Sequence, residues 1–508
     1  MSAESRIHNA ELRSKLMSAE EAVKFINNGA RLGVSGFTGS GFPKAIPAAV
    51  AKKAEEATAR GETFRVGMWT GASTAPTLDG ILAKANAIET RFPYQSDPEC
   101  RKRINAGDMN YFDMHLSHVS QFARYGFLGK LDFAVIEVAA IIDDKDKDGR
   151  IALVPTTSMG NNQSWLDVAE KVILEVNTWQ REDLEGMHDV FAPASPPNRT
   201  YIPIMKPCDR IGDKYMRCCP KKIVAVVACS EPDRNSPFAT PEEDHKRIAG
   251  HILDFFAAEM KAGRLPEKLF PLQSGVGNIA NAVLEGLNDG PYVGMTSFTE
   301  VLQDGMLTML KSGKLSFVSA TAFSLSPDGL QNLNDNFAFY KDKIVLRPQE
   351  ISNNPEVIRR MGVISMNGMI EADIYGNVNS THIMGTAIMN GIGGSGDFAR
   401  NAYYTIFMTP SVAKGGALSC IVPMVTHVDH TEHDVSMIVT EQGLADLRGL
   451  APKQRALEVI NKCAHPDFRP ALMEYVQRAA REAKGIHTPH IMNEAFSWHI
   501  NFMKNGRM

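Results

Sequence analysis

A glutamate between a short apolar segment and a run of helical spacing is the first residue that could do chemistry. Glu300 follows the β-prone residues 290–296 and precedes apolar residues at helical spacing, Val301, Leu302, Met306, Leu307 and Leu310. We therefore predict a strand-to-helix junction at Glu300, with the helix beginning directly after it. Such junctions line the ligand crevice of α/β proteins, so Glu300 is a candidate nucleophile. The alternative is an acid placed in a first helical turn by the helix dipole alone.

Two glycine-rich loops in the second half could serve that nucleophile. The first comprises residues 273–278 and the second residues 389–397, and each precedes a predicted helix. The second loop superficially resembles a dinucleotide-binding turn, but residues 381–390 before it are not a clean buried strand. A carboxylate that attacks an acyl group generates an oxyanion, which backbone N–H groups can stabilise. The pattern favours acyl chemistry, with a dinucleotide-binding oxidoreductase or regulatory protein as the alternative class.

A third glycine-rich loop lies near the N-terminus. Residues 35–44 follow a predicted strand and precede a predicted helix over residues 45–60. This arrangement can bring backbone N–H groups close to an anion. It can equally be a tight turn whose glycines only supply positive φ.

Residues 426–433 place three histidines among acidic residues. Their spacing matches none of the established zinc patterns, so we predict a hydrogen-bonded structural cluster and no metal site. The seven cysteines are scattered and form no CxxC pair. They are expected to be reduced thiols and not a disulfide framework or a zinc ribbon.

The chain's size and charge indicate a globular protein with small-molecule partners. Its 508 residues, 44% of them hydrophobic, can bury large cores and predict two or more domains. A net charge of -4 argues against a nucleic-acid or membrane-surface binder. The N-terminus matches neither a secretory signal nor a presequence, and no long apolar run predicts a membrane span. We expect a cytoplasmic protein that binds no nucleic acid and no membrane.

Near-continuous apolar segments alternate with helical patterns, which is typical of an α/β fold with largely parallel sheets covered on both faces. The predicted strands are residues 31–35, 63–68, 133–138, 151–154, 172–176, 223–227, 315–319, 344–346, 363–366, 421–422 and 437–440. Proline-rich and polar residues at 193–197 and 231–237 mark a boundary near residue 230. A helix capped by Thr240, with Glu243 completing a capping box, should follow. We predict two similar domains, residues 1–230 and 231–508.

Six segments in order resemble the acetyl-CoA hydrolase/transferase family, most closely its succinyl-CoA:acetate CoA-transferases, which are class I CoA-transferases. The resemblance covers nearly the whole chain, and the segments that carry it are Gln273–Asn278, Ser297–Asp304, Glu350–Pro355, Glu371–Asn379, Asn390–Phe398 and Thr440–Gly449. The resemblance implies two open α/β domains facing each other across the active-site cleft, with residues 35–44 in its wall. It also implies a homodimer.

The resemblance assigns roles to individual residues. It implies that Glu300 is the covalent nucleophile and that backbone N–H groups of Val276 and Gly394 stabilise the oxyanion. Asn353 and Glu441 would position the reacting groups. The residues implied to contact coenzyme A or the substrate are Arg234, Gly275, Gly277, Asn278, Gly393 and Gly396.

The implied reaction is ping-pong transfer of coenzyme A through a glutamyl-CoA thioester. Acyl-CoA and small carboxylates are the substrates, and no metal, flavin or nicotinamide cofactor is expected. Succinyl-CoA with acetate is the first expected pair and propionyl-CoA with succinate the second. An acetyl-CoA hydrolase is the alternative activity, because water could intercept the acyl-enzyme. Arg234 favours a dicarboxylate, because a guanidinium can bind a second carboxylate in a bidentate fork.

Overall fold

The structure is a computed structural model that describes residues 2–235 and 240–508. The strands are β1 Leu16–Met17, β2 Arg31–Val34, β3 Val66–Ala72, β4 Ile88–Tyr94, β5 Asn110–Tyr111, β6 Phe133–Val138, β7 Ala140–Lys145, β8 Ile151–Val154, β9 Lys171–Asn177, β10 Met216–Cys218, β11 Ile223–Cys229, β12 Leu272–Ser274, β13 Met295–Phe298, β14 Val301–Leu302, β15 Leu315–Ala320, β16 Ala322–Phe323, β17 Ile344–Leu346, β18 Ile364–Gly368, β19 Glu371–Asp373, β20 Val378–Asn379, β21 His382–Ile383, β22 Ala387–Ile388, β23 Tyr404–Met408, β24 Val412–Ala413, β25 Leu418–Ser419, β26 Ile421–Val422, β27 Met437–Thr440 and β28 Gly443–Asp446.

The α-helices are α1 Ala10–Arg13, α2 Ala19–Ala22, α3 Ala45–Ala59, α4 Ile81–Lys84, α5 Pro98–Asn105, α6 Leu116–Arg124, α7 Asn162–Val168, α8 Glu243–Lys261, α9 Asn278–Asp289, α10 Asp304–Lys311, α11 Pro327–Asp335, α12 Phe337–Lys341, α13 Gln349–Ser352, α14 Pro355–Met361, α15 Ser395–Asn401, α16 Pro452–Cys463, α17 Arg469–Glu482 and α18 Ser497–Asn505. Shorter helical turns connect some of them. Among the described residues, no helix is both long and apolar enough to cross a membrane.

The chain divides into two compact units. The first unit is Met1–Pro237, Ser297–Leu307 and Phe317–Val357, and the second is Phe238–Thr296, Thr308–Ser316 and Ile358–Met508. Glu300 therefore groups with the first unit, although it lies far from the N-terminal residues in sequence. The domain division predicted near residue 230 stays a prediction.

The first unit is built on a fully parallel sheet in the order β1-β11-β9-β6-β2-β3-β4-β5. Strands β3 and β6 are buried along their whole length, as expected for strands covered on both faces. Helix α3 buries Ile46, Val50 and Ala54 in the core on one face. The predicted strand 151–154 forms, but it pairs antiparallel with β7 and β10 in a separate sheet.

The second unit holds the strand order β12-β18-β23-β27-β28. Its pairings are parallel up to β27, and β28 returns antiparallel. The predicted strand 421–422 forms outside this sheet, as β26 pairing with β19. The prediction of a helix capped by Thr240 is wrong, because α8 begins at Glu243 with Glu242 as its N-cap. The imidazole of His245 accepts the Glu242 N–H at 2.9 Å and so supplies the reciprocal capping bond.

Candidate active site

Glu300 lies between two strands and not in a helix. Strand β13 ends at Phe298, and the two-residue strand β14 directly after Glu300 pairs in parallel with β16. The Glu300 carbonyl accepts the N–H groups of Thr321 at 2.8 Å and Ala322 at 3.2 Å. The prediction of a helix starting at Val301 is therefore wrong, since this pairing places Val301 and Leu302 in the core. The helix-dipole alternative loses its basis, because the acid in the first turn of α10 is Asp304.

Asn353 holds the Glu300 side chain. Its Nδ2 donates to Glu300 Oε1 at 2.9 Å, and the Asn353 side chain is fully buried while Glu300 is half-buried. Ser352 Oγ donates to Asn353 Oδ1 at 2.9 Å, which orients the amide with its donor group towards the carboxylate. A hydrogen bond to a charged acceptor is stronger than one between neutral groups. The structure thus brings the predicted residues Glu300 and Asn353 together. Ser352 orients the Asn353 amide, a role that the sequence did not reveal.

The helix that precedes Asn353 is anchored by charge and by its backbone. Both Glu350 carboxylate oxygens accept from Arg124 Nη2, at 2.8 and 2.6 Å. Burial raises the pKa of Glu350, while Arg124 and Arg199 oppose the rise. The Gln349 N–H donates to the Gly160 carbonyl at 2.8 Å. This anchoring restricts where the Asn353 amide can lie.

The glycine-rich loop 35–44 leads into an anion site that the protein itself fills. The Glu175 carboxylate accepts the backbone N–H groups of Lys44 at 2.5 Å, Ala45 at 3.0 Å and Ile46 at 3.0 Å. Glu175 is fully buried and lies at the start of α3, where the helix dipole favours negative charge. The expected strand–turn–helix unit is present, and its amide groups hold a side chain of this chain.

A buried charge cluster lies behind the same loop. Lys44 Nζ donates to Glu137 Oε2 and, at 3.0 Å, to Asp233 Oδ1. Burial alone lowers the pKa of Lys44, but the Asp233 and Glu137 carboxylates outweigh it and hold the pKa above its ordinary value. Burial raises the pKa of Glu137 to about 7, against the opposing effect of Lys44. Arg234, which follows Asp233 in the chain, has 52% of its side chain exposed.

The first glycine loop of the second unit lines a cavity of about 220 Å³. Gly275, Val276, Gly277 and Asn278 all contribute to its wall, so the structure brings these four predicted residues together. Gly277 has a φ of +140°, a conformation that L side chains rarely adopt. The Gly275 N–H donates to the Met366 carbonyl at 2.9 Å.

The second glycine loop leads directly into α15. Gly393 has a φ of +56°, and Gly394 is the N-cap residue with φ -84° and ψ -8°. Ser395 Oγ donates to the Ile392 carbonyl at 2.7 Å, and Gly396 is buried in the first turn of α15. The strand before the loop, β22, pairs antiparallel with β21 in a small hairpin. A dinucleotide-binding turn would instead follow a strand of a parallel sheet.

Glu441 is buried, and its carboxylate accepts several hydrogen bonds. Its carboxylate accepts the Ser411 N–H at 2.7 Å, the Ser411 hydroxyl, and Gln442 Nε2 at 2.9 Å. Burial alone raises the pKa of Glu441, but the bonds from Ser411 and Gln442 outweigh it and lower the pKa below its ordinary value. Ser411 lies 30 residues away in sequence, and no sequence pattern pointed to it.

The histidine-rich residues 426–433 form a polar network in the second unit. Asp429 accepts the Ser380 N–H at 2.7 Å and the Thr381 hydroxyl at 2.9 Å. The His427 ring lies against that of His382, with centroids 3.8 Å apart. Within residues 2–235 and 240–508, no group of three or more His, Cys, Asp or Glu side chains could hold a metal ion.

Comparisons with known proteins find relatives that match nearly the whole chain. Family models for the acetyl-CoA hydrolase/transferase N-terminal and C-terminal domains match residues 1–228 and 329–476. A succinyl-CoA:acetate CoA-transferase of Clostridium kluyveri is 48% identical over 99% of this chain and 92% of its own. A propanoyl-CoA:succinate CoA transferase of Escherichia coli is 44% identical over 97% of this chain and 98% of its own. An acetyl-CoA hydrolase of Schizosaccharomyces pombe is 44% identical over 99% of this chain and 98% of its own.

Solved structures share the fold. RipA from Yersinia pestis superposes with a TM-score of 0.70 at 24% identity, covering 96% of this chain and 100% of its own. A 4-hydroxybutyrate CoA-transferase from Porphyromonas gingivalis gives a TM-score of 0.61 at 22% identity, covering 92% of this chain and 98% of its own. The two domain matches and the full-length relatives show that the chain belongs to the acetyl-CoA hydrolase/transferase family.

Proposed function

We propose that the protein is a CoA-transferase that moves coenzyme A between a small acyl-CoA and a carboxylate, with succinyl-CoA and acetate as its first pair. The observation that carries the proposal is the half-buried Glu300 carboxylate held by the buried Asn353 amide at 2.9 Å. A nucleophilic carboxylate needs access to the acyl group and a fixed direction of approach, and this contact supplies the second requirement.

The reaction proceeds in four acyl-transfer steps. A Glu300 oxygen attacks the acyl-CoA carbonyl, and the C–S bond breaks to give an acyl-glutamyl anhydride and CoA thiolate. The thiolate attacks the glutamyl carbonyl, releases the first carboxylate and leaves a glutamyl-CoA thioester. The acceptor carboxylate attacks that thioester, and the released thiolate then cleaves the new anhydride to form the product acyl-CoA and free Glu300. Backbone N–H groups of Val276 and Gly394 stabilise the oxyanions. Glu441 orients the substrate.

Coenzyme A is a substrate in this scheme, and no step calls for a metal, flavin or nicotinamide. Domains covering residues 1–230 and 231–508 remain part of the proposal, supported by family matches over residues 1–228 and 329–476. The homodimer and the cytoplasmic location are proposed from the family resemblance and the sequence.

Acetyl-CoA hydrolysis is the second candidate, because relatives such as the Schizosaccharomyces pombe protein are named acetyl-CoA hydrolases. Propionyl-CoA with succinate is the second candidate pair, in line with the name of the Escherichia coli relative. Both candidates use the same glutamate and differ in what attacks the acyl-enzyme or its thioester.

A panel of acyl-CoA donors and carboxylate acceptors, each donor also without acceptor, tests the proposal with purified protein. We expect acetate to accelerate succinyl-CoA consumption well above the rate without acceptor and to yield acetyl-CoA. Equal consumption without any carboxylate, with stoichiometric free coenzyme A, would favour the hydrolase. Arg234→Ala should lower the rate with succinyl-CoA relative to acetyl-CoA, whereas Arg60→Ala, at an exposed surface arginine, should not.

A further inference from the structure

Arg234 belongs to a short segment, residues 231–235, which is held on both sides of the arginine. We name it the arginine segment. Its backbone N–H at Arg234 donates to the Gly39 carbonyl at 2.8 Å. Asn235 Oδ1 accepts the Gly39 N–H at 2.9 Å, and Asn235 Nδ2 donates to Ser40 Oγ at 2.8 Å. The glycine-rich loop thus binds the residue and its successor by three hydrogen bonds.

Asp233 fixes the segment on the other side of Arg234. Its carboxylate accepts from Lys44 Nζ at 3.0 Å, the Gly41 N–H at 3.1 Å, Gln180 Nε2 at 3.2 Å and the Thr157 hydroxyl. The side chains of Asp233 and Lys44 are 3% and 6% exposed. A buried carboxylate with this many donors is costly to displace, since moving it would leave the charge of Lys44 less compensated.

The loop approaches the arginine segment too closely for any side chain at residue 39. A Cβ built on Gly39 would lie 2.2 Å from the Arg234 carbonyl oxygen and 2.9 Å from the Asn235 nitrogen. Both atoms are backbone, so they can yield only if the segment moves. Glycine at residue 39 is therefore explained by this contact.

The Arg234 side chain contrasts with its fixed backbone. It is 52% exposed, and its Nη2 lies 3.6 Å from Glu231 Oε2, which is too far for a strong charged hydrogen bond. A guanidinium recognises a carboxylate through two parallel bonds of defined geometry, so a displacement of its backbone by about 1 Å weakens recognition. The segment combines a rigid base with a guanidinium that can engage a ligand.

We infer that Asn235 and Gly39 are positioning residues that set the selectivity for acyl groups carrying a second carboxylate. They do so by holding the backbone of Arg234 in place. The inference rests on the proposed contact between Arg234 and such a carboxylate. It adds the means by which the chain holds that arginine in place.

The test is a double-mutant cycle on the ratio of kcat/KM for succinyl-CoA to kcat/KM for acetyl-CoA. Acetate is the acceptor for succinyl-CoA, and propionate is the acceptor for acetyl-CoA. Asn235→Ala should lower the ratio about three- to tenfold, mainly through KM for succinyl-CoA, as expected for lost hydrogen bonds. Asn235→Asp keeps an acceptor for the Gly39 N–H and should restore most of the ratio. Gly39→Ala should shift it in the same direction as Asn235→Ala.

In the Arg234→Ala background, Asn235→Ala should cause no further change in the ratio, because the two residues act through one contact. Asn501→Ala, at an exposed position of α18, serves as the control. If Arg234→Ala alone leaves the ratio unchanged, the proposed role of Arg234 is wrong. If Arg234→Ala lowers the ratio but Asn235→Ala does not, only the positioning inference is overturned. An Asn235 effect that persists without the arginine would overturn it as well.

Discussion

Replacing Asn353 by aspartate tests whether the contact with Glu300 governs the nucleophile. Asn353 Nδ2 lies 2.9 Å from Glu300 Oε1, and Asn353 Oδ1 already accepts from Ser352 Oγ. In Asn353→Asp the same oxygen keeps that bond, so the second carboxylate oxygen replaces the donor and faces Glu300. A stabilising charged hydrogen bond becomes a pair of like charges.

The size of the effect follows from Coulomb's law. Two unit charges about 3 Å apart repel by about 6 kcal/mol at an effective dielectric constant near 20, and by about 1.4 kcal/mol in water. The half-buried Glu300 lies between these limits. The pair then retains one proton to higher pH, and about 1.4 kcal/mol corresponds to one pH unit. Because the nucleophile must be ionised, the acid limb of the pH profile should move up by about one to four pH units.

The assay is kcat/KM for succinyl-CoA with acetate across the pH range, for wild type, Asn353→Asp and Asn353→Ala. The alanine variant removes the donor without adding charge, so its rate should fall and its acid limb should move up by less than that of Asn353→Asp. Folding of each variant is checked by circular dichroism. An Asn353→Asp profile that coincides in shape with that of wild type would refute the reasoning.

Two other substitutions give separate tests. Gly394→Val should lower turnover by roughly a hundredfold or more with the fold intact, because a side chain would crowd the loop or tilt its N–H away from the oxyanion; near-normal steady-state turnover would remove the loop from the mechanism. His188 donates from Nε2 to the Thr156 carbonyl at 2.8 Å, and burial lowers its pKa to about 4 from 6.5. As the pH falls, His188 is therefore protonated in the unfolded chain before it is protonated in the folded one. The free energy of unfolding should decrease as the pH drops from about 6.5 to about 4, by about 3 kcal/mol in full. The free energy of unfolding of His188→Gln, measured with urea, should decrease less than that of wild type over this pH range. If the two free energies fall in parallel with pH, His188 is not the group responsible.

Much of the fold could be predicted from the sequence, because a buried strand appears in it as a short continuous run of apolar residues. Residues 133–138, 344–346 and 437–440 form strands with the predicted bounds. The pairing of a strand depends on distant partners, however. Residues 421–422 form a strand as predicted but pair with β19 outside the larger sheet. Strand β14 has only two residues and exists through its pairing with β16, so local periodicity suggested a helix there.

The site shows the same limit more strongly. Family resemblance named Glu300 and Asn353, which lie 53 residues apart and meet through one hydrogen bond. No periodicity could indicate that Glu175 accepts amide groups of Lys44, Ala45 and Ile46, about 130 residues earlier in the chain. The pairing of Ser411 with Glu441 is also set by the folded chain alone. Residue types predicted the chemistry, while the supporting contacts required the tertiary structure.

The central claim is that Glu300 carries coenzyme A covalently, and mass spectrometry of the intact protein tests it most directly. Incubation with succinyl-CoA and no acceptor should add the mass of coenzyme A as a thioester at Glu300, which peptide mapping locates. Borohydride should convert that residue to an alcohol, and Glu300→Ala should abolish both the adduct and turnover. An active Glu300→Ala variant, or an adduct mapped to another residue, would contradict the account.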